Sequence, residues 1–458
     1  MKFEASNREI FSLAWPVVLG AVAQQVVGLT DTAFLGHWQD GKTALGASAL
    51  AGVWYFAVFT FAWGLTTGVQ SLVARRLGED RPEGVGQVLR VGLGAGAVLS
   101  VVIVALVLVA TGPVFGAVIE SEAVRAEALT YVYYRVWDIP FMVLYVVFRG
   151  FFSGIGQNRI VMVSALVMAA TNCGLNYVLI FGKLGFPALG IGGAALATAI
   201  AEMTCAFVIA GFFFRQGLHR TYPIWQKAAQ TANGSELRNL VSLSVPTSLQ
   251  HLMSVGSFFL MFAFIEKLGE QALGASGLVK SVYIFLMIPI WGFATAAGTL
   301  ISNLLGQNRP DDALRALRHI CTLSLGICLG YLGVIFIFPE PVLRIFSEQP
   351  GLVSDSIPLL RIVIVAILVY SISGILMTGV ISTGAGTIAA IIEVGGVVAY
   401  LAYIYATAVV WKAPLPTVWL CEILYMVLML VPCALYLKFG NWRSISRSLQ
   451  VETAAPNS

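Results

Sequence analysis

Charge is scarce in this chain: Asp, Glu, Lys and Arg make up 11% of its 458 residues, where a soluble domain carries roughly 25%. The few ionisable residues cluster between long apolar runs, which excludes a water-soluble fold. Histidine is scarcer still. The four residues, at 37, 219, 251 and 319, are widely separated, leaving no zinc or haem pattern. Their dispersal also argues against a membrane-embedded enzyme. The six Cys, at 173, 205, 321, 328, 421 and 433, fall in or near apolar segments with no close-spaced ligand set. They read as small buried side chains and imply no redox compartment. The glycines of Gly92–Gly96 lie inside an apolar run with no Gly-Lys-Ser/Thr after them, so they form no phosphate cradle. Without an ATP-binding signature, any work must draw on an ion gradient or on the substrate itself. The net charge of +4 needs no nucleic-acid partner, because membrane orientation accounts for it.

What the chain has in abundance is apolar length, with 58% hydrophobic residues. About 20 apolar residues cross the hydrocarbon core, and such segments are expected near 10–36, 46–73, 89–111, 129–150, 160–181 and 190–214. A second set is expected near 240–265, 274–301, 319–339, 357–380, 387–410 and 416–437. Lys2, Glu4, Arg8 and Glu9 precede the first run. That run is too long for a removable signal peptide and reads as a retained first helix. The stretch Ala44–Arg90 returns as Ala272–Arg318 at a constant offset of 228 positions. Ala-Leu-Gly-Ala-Ser, Trp-Gly, Leu-Gly and Arg-Pro all recur, as do Tyr55 (Tyr283) and Arg90 (Arg318). The fold expected is an all-α membrane protein of twelve transmembrane helices in two pseudo-symmetric six-helix lobes. Residues 1–218 form the N-lobe, 219–238 a cytoplasmic linker, 239–440 the C-lobe and 441–458 a cytoplasmic tail. With both termini inside, only Lys42, Arg125, Arg135, Lys183, Lys267, Lys280, Arg344, Arg361 and Lys412 of the 27 Lys and Arg fall outside. The repeated loops 75–90 and 303–318 then both lie inside, so the halves run in parallel.

Polar residues within the apolar runs carry the functional reading. Asp31, between Thr30 and Thr32, stands at the far end of the first span. A carboxylate deep in a span costs about 2.5–3.5 kcal/mol on insertion scales, a cost offset by a cavity, a partner or a bound cation. Burial favours a carboxyl group's neutral form, while nearby donors and positive charge favour the ionised one. Asn172 and Asn176 are four apart on one helix face, as are Thr198 and Glu202 in the next span. Asp31, Asn172, Asn176, Thr198 and Glu202 are therefore the expected cation-coupling residues. The first four offer oxygens to Na⁺ or to a hydrogen-bonded proton; interhelical polar contact without an ion is the alternative. Gln24, Gln25, Trp54, Trp63, Gln70, Gln250, Ser254, Tyr283, Trp291 and Tyr370 are expected to line a mixed polar and aromatic substrate cavity. Pro16 and Pro246, each early in the first span of its half, are expected to act as hinges. Glu393, Glu422, Asp138 and Lys280 are read equally well as structural polar groups or as transport residues.

Five pieces of sequence together resemble the multidrug and toxic compound extrusion (MATE) family across residues 6–440. They are Trp15-Pro16 through Asp31-Thr32-Ala33-Phe34-Leu35-Gly36-His37; Gly64 through Leu77-Gly78; Arg149-Gly150 with Ser153-Gly154-Ile155-Gly156-Gln157; Asn172 through Gly182; and Gly190 through Thr198. The resemblance implies two six-helix lobes around a central V-shaped cavity. It also implies a cation-coupled antiporter, driven by H⁺ or Na⁺ and without other cofactors, that exports organic cations, drugs or amphipathic toxins by alternating access. A related exporter of an organic anion, metabolite or lipid-linked substrate is the alternative. The expected setting is the lipid bilayer of a bacterial inner membrane, with the protein a monomer. In the family, a first-span Asp, polar residues of span five and a sixth-span Thr form the N-lobe cation site. The matching positions here are Asp31, Asn172, Asn176 and Thr198. Some members carry Asp where this chain has Asn176, and others carry Glu where it has Ser254.

Overall fold

Inside a bilayer, backbone polar groups must find partners within the chain, and helices do this segment by segment. The computed structural model describes residues 4–38, 41–225 and 233–451. Lys2, Asp40, Lys227, the rest of the linker stretch 226–232 and the tail from 452 onward lie outside the described residues. Among the described residues, twelve helices are long and apolar enough to cross a membrane. They are α1 (Asn7–Gly36), α2 (Thr43–Gly78), α3 (Pro82–Val118), α4 (Glu122–Gly154), α5 (Asn158–Phe181) and α6 (Ile191–Arg215). The second set is α7 (Gly234–Leu268), α8 (Glu270–Gly306), α9 (Pro310–Ile337), α10 (Pro350–Ser382), α11 (Gly386–Val410) and α12 (Leu415–Phe439). Outward-facing Val101 and Val109 on α3 are 69% and 75% exposed, as lipid-facing side chains are. The chain is a multi-pass integral membrane protein.

Several helices, among them α3, α9 and α10, begin well before the expected spans, and one expected span is interrupted. The helix expected over 129–150 begins earlier and is broken by a 3-10 turn at Val136–Asp138, ahead of Pro140, which has no N–H to continue the ladder. α7 starts at Gly234, inside the stretch read as linker.

The repeated loop takes one geometry in both halves. After α2, Asp80 adopts a left-handed backbone (φ 56°), and after α8 Asn308 does the same (φ 59°). Short Asx side chains tolerate this region. Arg81 N–H then donates to Arg76 O, and Arg309 N–H to Leu304 O, both at 3.0 Å. Proline follows as the first residue of α3 and α9, where its missing N–H has no helical partner to lose.

By contacts, the helices sort into two compact units. One runs from Leu19 to Ser244 and holds most of α1, α2 to α6 and the start of α7. Its core centres on aromatic residues such as Phe151, Phe152 and Phe213, all fully buried. The other holds the described residues up to Val18 and those from Val245 on. Within it, α1 packs so closely on α8 that a Cβ at Gly292 would lie 2.8 Å from Ala14 O.

Helices α5 and α6 form a tight hairpin. Gly182 (φ 66°) ends α5, and Gly190 (φ 53°) precedes α6. Leu189 N–H donates back to Leu179 O at 3.0 Å. A Cβ at Gly193 would lie 2.5 Å from that same carbonyl oxygen. Gly193→Ala should therefore force the helices apart and destabilise the protein by about 1–3 kcal/mol, read as a lower melting temperature in detergent. Gly94→Ala, where nothing lies within 4 Å, should leave it unchanged.

Candidate coupling site

The hairpin brings the span-five and span-six polar residues together beneath the end of α1. Asn172 and Asn176 sit one turn apart on α5 and are fully buried, with Thr198 on α6 at 3% exposure. Half-buried Asp31 reaches into them. Its Oδ1 accepts from Asn176 Nδ2 at 2.6 Å and from Asn172 Nδ2 at 3.1 Å. Its Oδ2 accepts from Thr198 Oγ1 at 3.1 Å. Asn172 Nδ2 also donates to Thr198 Oγ1 (3.1 Å), and Asn176 Nδ2 to Asn172 Oδ1 (3.0 Å). Thr198 has a second acceptor for its one hydroxyl hydrogen, Ala194 O at 3.0 Å. Every group holding Asp31 is neutral, and among the described residues none makes an ion pair with it. Asn176 Oδ1 is buried with no hydrogen-bond partner. The set thus cradles a carboxylate with three donors and leaves one acceptor in reserve, so the group can change charge without breaking a salt bridge.

Glu202 is one turn along α6 from Thr198, yet it joins a different network. Arg135 on α4 donates from Nη2 to Glu202 Oε1 at 2.6 Å and from Nε to Asp138 Oδ2 at 3.1 Å. The Arg135 guanidinium lies 4.0 Å from the centre of the Tyr55 ring, and the Tyr55 hydroxyl donates to Asp138. Glu202 Oε2 has no partner. Arg135, counted among the cations on the outer side, is a buried counter-ion for two carboxylates. The signal was present as Arg135-x-x-Asp138, an i, i+3 pair of opposite charge beside Pro140.

The expected cavity residues divide between the units. In the first, Gln24 and Gln25 are part-buried on α1, and Gln70 is buried on α2. Trp54 turns inward, donating from Nε1 to Thr111 Oγ1 at 2.9 Å, and Trp63 meets Phe56 edge-on. In the second, Gln250 Nε2 lies 3.8 Å from Met377 Sδ, and Ser254 lies beside Tyr425. The Tyr283 hydroxyl donates to Glu422 at 2.9 Å, while Trp291 and Tyr370 are part-buried. Both proposed hinges, Pro16 and Pro246, belong to this second unit. Among the described residues, no three His, Cys, Asp or Glu gather as metal ligands.

Removing Arg135 strands two buried carboxylates. Arg135→Met should destabilise the protein by about 3–5 kcal/mol, and adding Glu202→Gln should recover part of the lost melting temperature.

Comparison with known proteins places this geometry in context. The MatE family profile matches residues 16–178 and 246–406. A protein of Pseudomonas aeruginosa, described as a probable multidrug resistance protein NorM, is 26% identical over 362 residues, covering 79% of this chain and 73% of its own. Among solved structures, a MOP superfamily transporter from Pyrococcus furiosus superposes with a TM-score of 0.85 at 20% identity over 96% of both chains. It is described by a reversed polarity of its binding pocket that suggests a different function. A MATE solved in complex with MaD3S also gives 0.85, at 21% identity over 97% of this chain and 96% of its own.

Proposed function

Because the chain belongs to the MatE family, we propose that this integral membrane transporter is a cation-coupled antiporter exporting small amphipathic or cationic compounds. Asp31 with Asn172, Asn176 and Thr198 is the coupling site of this reading. The observation that carries it is a carboxylate held only by neutral donors, at 2.6–3.1 Å, in an apolar interior. Facing outward, Asp31 takes up a cation, substrate affinity falls and the substrate leaves. Facing inward, the cation dissociates and new substrate binds. One charge moved through the membrane field contributes about 2.3 kcal/mol per 100 mV, equivalent to roughly 50-fold uphill export.

The donor arrangement favours H⁺ over Na⁺. Both Asn side chains present N–H groups, rather than carbonyl oxygens, to Asp31. A sodium ion asks for a shell of oxygens. A proton on Asp31 needs only one acceptor, and a half-turn of the Asn176 amide brings its unpartnered Oδ1 to the carboxyl group. Glu202 is held by Arg135 and is not a ligand of the site in this reading. Pro16 and Pro246 fit hinges because the chain passes between its two compact units within two residues of each, at Val18/Leu19 and Ser244/Val245.

The multidrug name of the Pseudomonas relative and the ligand-bound MATE support a drug-like substrate. The second reading is export of an organic anion, metabolite or lipid-linked compound. Efflux of cationic dyes against organic anions from proteoliposomes separates the two, with pH and Na⁺ gradients imposed separately. Asp31→Asn should bring pH-gradient-driven dye efflux to the level of empty liposomes. Undiminished coupled efflux by this variant removes Asp31 from the mechanism.

A further inference from the structure

The tyrosine repeated as Tyr55 and Tyr283 meets a buried carboxyl group in each half of the chain, but the two surroundings differ in charge. Tyr55 donates to Asp138, which shares Arg135 with Glu202. Tyr283 on α8 donates to Glu422 Oε2 on α12 at 2.9 Å, and Tyr400 on α11 to Glu422 Oε1 at 2.8 Å. One turn along α12, Tyr425 donates to Glu393 on α11. The Tyr400 and Tyr425 rings lie 5.4 Å apart, so the two carboxyl groups belong to one polar cluster. Glu393 and Glu422 are 4% and 3% exposed. Among the described residues, no Lys, Arg or His pairs with either.

The titratable groups facing them are Tyr283 from α8, Tyr370 from α10, Tyr400 from α11, and Cys421, Tyr425 and Cys433 from α12. Lys280, also on α8, is exposed, with its ammonium 5.3 Å from the centre of the Phe262 ring. Two ionised carboxylates with no counter-ion are strongly disfavoured in hydrocarbon, so a proton or another cation is needed to offset them.

Its hydrogen-bond geometry serves both protonation states. The Tyr400 hydroxyl carries one hydrogen and has two acceptors at 2.8 Å, Glu422 Oε1 and Met261 Sδ on α7. With Glu422 ionised, Tyr400 and Tyr283 both donate to it. With Glu422 protonated, the carboxyl O–H donates to Tyr400 Oη, and the phenol hydrogen turns to the thioether, a weak acceptor. No donor is left unsatisfied in either state. Each phenol directs its hydrogen at a carboxyl oxygen, so the hydroxyls here serve as donors to Glu422 and Glu393, an arrangement that suits a proton.

We propose that Glu422, with Glu393, Tyr283, Tyr400 and Tyr425, forms a second proton-binding site, separate from Asp31. Nothing in it depends on the role given to Asp31. The test is infrared difference spectroscopy of the full chain in lipid, titrated from acid to alkaline pH, in an Asp31→Asn background. A carboxyl C=O band should remain and titrate there, and adding Glu422→Gln should remove one titrating component. Superimposable titrations with and without Glu422→Gln overturn the proposal. Tyr400→Phe keeps it testable if Glu422→Gln yields no folded protein: the titration midpoint should move, and an unmoved one counts against the site. Exchanging K⁺ for Na⁺ at fixed pH should leave the band unchanged; its loss on adding Na⁺ would overturn the assignment to a proton.

Discussion

Ionised groups are costly in hydrocarbon, and the interior of this protein is arranged around a few carboxyl groups that tolerate the position by different means. Asp31 is surrounded by neutral donors drawn from two other helices. Asp138 and Glu202 share one guanidinium. Glu393 and Glu422 rest on tyrosine hydroxyls. Where a full ion pair is used it fixes helices, since Arg135 ties α4 to α6 and a lost partner leaves a buried charge. Where only neutral donors are used, a change of charge breaks no ion pair, as the proposed proton-binding roles require.

The tight α5–α6 hairpin is the structural counterpart of this economy. Close approach at Gly193 brings Thr198 within reach of Asn172, and Asp31 then completes a cluster that spans three helices. A side chain at that glycine would separate residues whose chemistry depends on distances near 3 Å.

The helices and the Asp31 cluster were legible in the sequence because polar residues at i, i+4 spacing stand out against an apolar run. The repeat was legible because short motifs recur at a constant offset, down to the Arg-Pro turn that takes one backbone form in both halves. Arg135 was not, because its inward orientation depends on the 3-10 turn at Val136–Asp138. Glu202 shares a helix face with Thr198, as its spacing requires, yet its partner is supplied by α4, more than sixty positions away. Tyr400 and Tyr425 were overlooked because tyrosines are frequent at membrane interfaces. Their role follows from which helices pack together. The bond from Trp54 N–H to Thr111 was equally unforeseen, since it depends on how α2 meets α3.

The passage from one compact unit to the other occurs inside α1 and α7, not in the polar linker. A linker of that composition would behave as a slack tether. Two hydrogen-bonded helices are stiffer than such a tether, and each carries a proline close to the crossing. If Pro16 is the hinge proposed, a bend there would reorient the stretch of α1 that carries Asp31.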